Sequence, residues 1–138
     1  LRKKKVSTHS FIGIEDETTG KIKGIYCHYD GYPDGVGYEL KTHYRDEDKI
    51  RSLVALGSIS ALRAHLGDKH AFDDLDAATS HQWTTAYHRD RGEELVISEY
   101  DDLYSIDNGG GYQYAYVYTR GCWLYKSYEQ RSAWLPLL

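Results

Sequence analysis

The stretch 112–127, YQYAYVYTRGCWLYKS, constrains the fold more than any other part of the chain. Tyr112, Tyr114, Tyr116 and Tyr118 recur at every second position, a period that a strand gathers on one face and a helix scatters. Arg120-Gly121 then separates this run from a second β-prone run over 122–127. A two-residue loop there closes an antiparallel hairpin in which Tyr118 pairs with Trp123 and Tyr116 with Tyr125. On this reading Ala115 and Val117 face the helices. Tyr112, Tyr114, Tyr116 and Tyr118, with Trp123 and Tyr125, then form an aromatic patch on the other side. The chain has fourteen tyrosines but two phenylalanines and no methionine. Tyrosine is apolar in body and polar at its tip, so the patch is a half-covered sheet face, a subunit interface or a platform for a planar ring.

A second hairpin precedes it. Residues 8–15 and 22–29 are β-prone and flank the polar turn 16–21, Asp-Glu-Thr-Thr-Gly-Lys. With residues 17–20 as the loop, Phe11 stands opposite Tyr26, His9 opposite His28, and Ser7 opposite Asp30.

Between the hairpins the signals are helical. Asp34 is placed to cap a helix carrying Val36, Leu40 and Tyr44 on one face, and Asp46 or Asp48 a second through Ile50, Leu53 and Val54. Gly57 ends the second helix, and Ser58 or Ser60 is expected to start a third through Leu62 and Leu66. Residues 67–80 read as an irregular excursion anchored by Phe72 and Leu75, with a helical turn at 73–78. Strands are expected again at 82–88 and 94–98 around the charged turn 88–93, and residues 107–111 read as a glycine turn. The layout predicts a single α+β domain over 7–138. Its antiparallel sheet of 5–6 strands carries two or three helices on one face.

The net charge of −4 is uneven: Arg2, Lys3, Lys4 and Lys5 contribute +4, which leaves −8 on the remainder. Residues 1–6 are read as a basic disordered leader, with a second start conceivable at Val6. An acidic body argues against nucleic-acid binding. The helix–glycine–helix outline at 52–66 does not reverse this, because Leu53 and Arg63 occupy positions where a DNA-reading helix-turn-helix needs a small and an apolar residue. No apolar run is long enough to span a membrane, so the expected location is the cytoplasm. Cys27 and Cys122 form no CxxC pair and suggest neither a disulfide framework nor structural zinc. The apolar end 134–138, WLPLL, must dock on the core or on a second copy, which favours a homo-oligomer.

Chemistry concentrates in 26–35, YCHYDGYPDG. Strand alternation puts Tyr26, His28 and Asp30 on one face with His9 across from them, and Cys27 on the other, so Cys27 and His28 are no nucleophile–base pair. Two imidazoles and a carboxylate suit a divalent metal at His9, His28 and Asp30, a polar ligand, or a turn that is merely held in place. Gly31, Gly35 and Gly37 could present backbone N–H groups to an anion, although their spacing matches neither phosphate-binding fingerprint. The candidate ligand-binding set is therefore His9, Tyr26, His28, Asp30, Gly31, Tyr32, Gly35 and Gly37. No nucleophile–base–orienter set is spelled out, no catalytic residue is assigned, and no motif calls for a cofactor.

Residues 7–13, STHSFIG, 25–33, IYCHYDGYP, 35–37, GVG, and 56–60, LGSIS, resemble a group of small proteins of phages, prophages and plasmids sharing the pattern IYCHxDGYxxGVG … LGxIS. The run 86–93, AYHRDRGE, and the Trp123 hairpin are similar to the later part of that group. The resemblance implies a mobile-element setting and brings no established chemistry. The leading expectation is a non-enzymatic binding protein, in the form of an anti-defence factor that sequesters a small polar, nucleotide-like ligand, and the second is an inhibitor that grips a host protein through an aromatic surface. The enzymatic alternative is a small hydrolase using metal at His9, His28 and Asp30, or Ser7 as an N-terminal nucleophile.

Overall fold

Both hairpins form in the expected registers, and they lie side by side in the computed structural model, which describes residues 7–107 and 111–138. The basic leader and residues 108–110 of the glycine turn lie outside the described residues. Strand β1 (Ser10–Glu15) pairs antiparallel with β2 (Ile22–Cys27), Phe11 opposite Tyr26. Next come a π-helical turn, Pro33–Gly37, helix α1 (Tyr38–His43) and helix α2 (Glu47–Ala55). The middle of the chain holds β3 (Ile59–Ala61), α3 (Leu75–Thr79), β4 (Thr85–Ala86), α4 (Tyr87–Arg91), β5 (Ser98–Tyr100) and a 3-10 turn at Leu103–Ser105. It ends with β6 (Tyr114–Thr119), β7 (Cys122–Ser127) and β8 (Leu135–Pro136).

The fold is α+β, but its eight-stranded sheet is mixed rather than antiparallel. The strand order is β4-β3-β2-β1-β6-β7-β8, with β5 also on β2. Strand β1 runs parallel to β6, Ile12 opposite Tyr116, and β2 meets β3 in parallel at Cys27 and Ile59. Turn chemistry dictates pairing within a hairpin and says nothing about how two hairpins dock. That docking is nailed at its start by the His9 N–H donating to Gln113 Oε1 at 2.7 Å and the Gln113 N–H donating to the His9 carbonyl at 2.9 Å.

Helix α2 forms as its sequence dictates. Asp46 accepts from the Asp48 N–H at 3.1 Å, Ile50, Leu53 and Val54 share the buried face, and Gly57 stops the helix with φ +76°. The first helical region does bury Val36, Leu40 and Tyr44, but Asp34 lies inside the π-helical turn and caps nothing. The expected third helix is absent. Ile59 and Ser60 are buried, and the N–H groups of His28 and Tyr29 donate to their carbonyls, so sheet pairing overrides the weak helical signal. This removes the helix–turn–helix outline as well. The strand expected at 82–88 shrinks to Thr85–Ala86 because Tyr87–Arg91 turns into α4, closed by Gly92 at φ +73°. Phe72 anchors the excursion by packing its ring against Tyr87, centroids 5.4 Å apart and tilted by 32°, whereas Leu75 is 77% exposed and anchors nothing.

The sheet is covered on both faces. Ile12, Ile25, Cys27, Tyr116, Tyr118 and Trp123 pack with Leu40, Tyr44, Ile50 and Leu53 of the helical side. Phe11, Ile22, Ala115 and Val117 face the other way, beneath Tyr100, Leu103, Ile106, Tyr112 and Trp134. The tail docks on its own chain: β8 pairs with β7, the Leu137 N–H donates to the Trp123 carbonyl, and Leu137 packs against the helical-side core. Its apolar character therefore no longer argues for a second copy. Among the described residues no helix is long and apolar enough to cross a membrane.

Candidate functional site

Register carries His9 onto His28, as the hairpin loop predicted. The two imidazoles stack with centroids 4.8 Å apart and 27° between planes, and Tyr26 meets His9 edge-on at 5.3 Å. The Tyr26 hydroxyl lies 2.8 Å from His28 Nδ1, and Ser7 Oγ lies 3.5 Å from Nε2. Burial pushes the Tyr26 phenol up to about 12, so it stays protonated. A neutral His28 that accepts from this phenol at Nδ1 carries its own proton on Nε2, aimed at Ser7. Tyr29 closes the row, its ring 4.5 Å from His28 and at 81° to it.

Burial, followed by the neighbouring His9, holds His28 below its ordinary 6.5. A histidine whose folded value is depressed contributes stability that is complete above the unfolded value and lost as pH falls through the folded one. We expect thermal midpoints to fall more steeply in the wild type than in His28→Gln as pH drops through and below about 6.5, the ordinary histidine value. Parallel slopes in the two proteins would show that the stack does not sense pH.

Beyond Tyr29 the backbone is tightly tied. Asp30 adopts φ 58°, its carbonyl accepts from the Val36 N–H at 2.8 Å, and its carboxylate accepts from the Tyr32 hydroxyl at 2.9 Å. That bond, then burial and the charges of Asp30 and Asp34, raise the Tyr32 phenol above its ordinary value. Glycine is obligatory at 35, where a Cβ would lie 2.3 Å from the Asp30 carbonyl oxygen. The Gly31 N–H donates to the Thr8 carbonyl, and the N–H groups of Gly35 and Gly37 donate to the Tyr32 carbonyl at 2.9 and 3.4 Å. These backbone donors are consumed inside the turn and do not form an anion cradle. Among the described residues no three His, Cys, Asp or Glu side chains come together as a metal site, and Asp30 engages Tyr32 instead of joining His9 and His28.

Cys27 is fully buried, and burial pushes its thiol up to about 12, so it is a core residue. The tyrosine ladder is core too. Tyr116 is completely buried and Tyr118 and Trp123 nearly so. Tyr116 stacks on Tyr125 at 6.2 Å, while Tyr112 packs on the opposite face of the sheet. The expected sides are thus exchanged from Tyr114 onward: Tyr114, Tyr116 and Tyr118 face the helices, and Ala115 and Val117 face away. Tyr114 and Tyr125 keep partial exposure only, so Tyr112, Tyr114, Tyr116, Tyr118, Trp123 and Tyr125 present no continuous outer surface. Tyr116 nevertheless serves the candidate site, because its hydroxyl donates to the Gly31 carbonyl at 2.7 Å across the core.

Two features escaped sequence reasoning. The first is a buried polar network in which Arg89 and Asp90 lock together and the His70 N–H donates to Asp90 Oδ1 at 3.2 Å. Thr85 Oγ1 lies 3.2 Å from His70 Nε2, and His70 Nδ1 lies 3.7 Å from Asp90 Oδ1. The order hydroxyl–imidazole–carboxylate imitates a nucleophile relay. Yet the His70 and Asp90 side chains are 4% and 0% exposed and Thr85 is buried, so no substrate reaches the hydroxyl. The trio ties the excursion to α4. The only signal for it was the run His-Arg-Asp, which reads equally well as a solvated turn.

The second is a groove of about 720 Å³ at the far end of the first hairpin. It lies between the hairpin tip, the Arg51–Ala55 side of α2 and residues 97–99, so it involves none of the candidate ligand-binding residues.

Compared with the models of known protein families, with curated proteins and with solved structures, the chain matches none. The geometry by itself defines an α+β chain with a mixed sheet and a histidine–tyrosine cluster leading into a hydrogen-bonded turn.

Proposed function

We propose that the chain is a non-enzymatic binding protein of a mobile genetic element that grips a host protein through the surface built by His9, His28, Tyr29, Tyr32 and Tyr38. One observation carries this reading: Tyr29, Tyr32 and Tyr38 are 47%, 41% and 50% exposed on a segment whose backbone is tied down by internal hydrogen bonds. Exposed tyrosines on a rigid support offer contact area at small entropic cost, which is how interface anchors work. Large exposed aromatic rings are frequent anchors of protein–protein interfaces. The mobile-element setting rests on the IYCHxDGYxxGVG resemblance.

The double variant Tyr29→Ala, Tyr32→Ala is expected to lose the host protein captured by the wild type, while its thermal midpoint moves by less than about 4 °C. Undiminished capture would remove this face from contention. The same His9–His28 stack, with half-buried rings, also supports the nucleotide-like reading. A thermal-shift series with cyclic nucleotides and ADP-ribose separates the two, since a stabilising ligand would reassign the face to small-molecule sequestration.

A further inference from the structure

We propose that the free edge of β5, together with the adjoining groove, is a second docking site, which takes an extended protein segment of aliphatic residues flanked by lysine or arginine. Leu95, Val96 and Ile97, three consecutive aliphatic residues, are 45%, 47% and 40% exposed. They lead into β5, which pairs with β2 along one edge, Lys23 opposite Glu99, and with no strand along the other among the described residues. Unpaired edge N–H and C=O groups are a template for an added strand. Alternation sends Ile97 into the groove of about 720 Å³, beside Ile14, Val54 and Ala55. An added strand would therefore find a hydrogen-bonding edge, next to a groove on the inner side of β5 whose apolar members are Ile14, Val54, Ala55 and Ile97 among charged and polar walls.

Charge selects the occupant. Residues 93–102, EELVISEYDD, hold five carboxylates and no basic side chain. Arg91 engages Glu93, and Asp102 accepts from Ser105, but the side chains of Glu94, Glu99 and Asp101 have no ion-pair or hydrogen-bond partner among the described residues. A second copy is disfavoured, because pairing this segment with itself sets carboxylates against carboxylates at both ends. Cations flanking an aliphatic centre match it. Arg51, on the groove wall, is already held by Glu47 at 2.5 Å, and Lys21 and Lys23 line the groove from β2 and the turn before it, on the inner side of β5. None of them repels a strand that arrives from the outer edge. This site is independent of the histidine–tyrosine face.

The test uses the full chain and a fluorescein-labelled peptide of alternating valine and threonine with two lysines at each end. Saturable binding with Kd below about 1 mM is expected, together with slowed hydrogen exchange at 96–100. The exposed pair Glu94→Lys, Asp101→Lys should weaken this peptide at least about tenfold and gain binding of a control peptide whose lysines are replaced by glutamate. The Tyr29→Ala, Tyr32→Ala variant should bind it as the wild type does, which separates this proposal from the other face. Three results would each overturn the proposal: no saturation by about 1 mM, an affinity indifferent to the charge swap, or protection located away from 93–100. A dimer in light scattering whose peptide binding is lost would hand the edge to a second copy.

Discussion

Asp90→Ala is expected to destabilise the chain by about 3–5 kcal/mol, because it strands a largely buried guanidinium and two backbone donors. The Asp90 side chain is fully buried and that of Arg89 is 16% exposed. Arg89 Nε and Nη2 donate to the carboxylate at 2.9 and 3.1 Å. Nη1 donates to the carbonyls of Leu66 and Gly67, and Nη2 to that of Thr84. All five guanidinium donors are thereby used. Asp90 also accepts from the N–H groups of Ala86 at 2.8 Å and His70 at 3.2 Å. Arg89→Lys should cost nearly as much as removal, since an ammonium has three donors and no fork. Asp90→Asn, which keeps one acceptor, should fall between. Urea unfolding reads all three; a change below about 1 kcal/mol for Asp90→Ala would show that water replaces the carboxylate.

The same pair sets an acid limit. Burial alone raises the Asp90 carboxyl, but Arg89 and the N–H groups of Ala86 and His70 outweigh it and leave it below its ordinary 3.8. Its contribution is therefore intact above about pH 4 and lost as pH falls through the lowered value. The Asp90→Asn variant should lack that portion of the acid transition.

Tyr116 carries the second large effect. Removing a fully buried aromatic ring, as in Tyr116→Ala, is expected to cost about 3–5 kcal/mol. Tyr116→Phe keeps the packing but leaves the Gly31 carbonyl without its partner, which should cost about 1–3 kcal/mol. Denaturant midpoints with unchanged slopes check both values. A ladder exposed for contact would leave the Tyr116→Ala midpoint where it was. Because Gly31 opens the turn that displays Tyr32, Tyr116→Phe should also raise hydrogen exchange across 31–37.

The strongest residue patterns were local, and they held. Alternation around Arg120-Gly121 and the glycine-containing turn 17–20 each predicted a register that the structure reproduces, Tyr116 opposite Tyr125 and Phe11 opposite Tyr26. Helix α2 was equally legible, with an aspartate cap, apolar residues at helical spacing and a glycine stop. The His9–His28 stack followed because it depends on one hairpin and nothing else. Asp30 failed to join it because the chain leaves the strand there, at φ 58°, a change of direction that alternation cannot foresee. The helix expected after Ser58 failed for the opposite reason: a weak local preference lost to hydrogen bonds offered by β2.

By itself the sequence determined the two antiparallel hairpins, helix α2 and the meeting of His9 with His28, because each rests on contacts within a few dozen residues of chain. Only the tertiary structure decided which face of β6 met the helices, since period two divides a strand into two faces without labelling either. It also decided that the hairpins join through the parallel pair β1–β6, that Tyr112, Tyr116 and Tyr118 are core, and that Gly35 and Gly37 spend their donors on Tyr32. Those outcomes depend on long-range packing and on which partner a buried polar group reaches first. A buried Arg89 and an exposed Tyr29 are decided the same way, by what the rest of the chain lays over them.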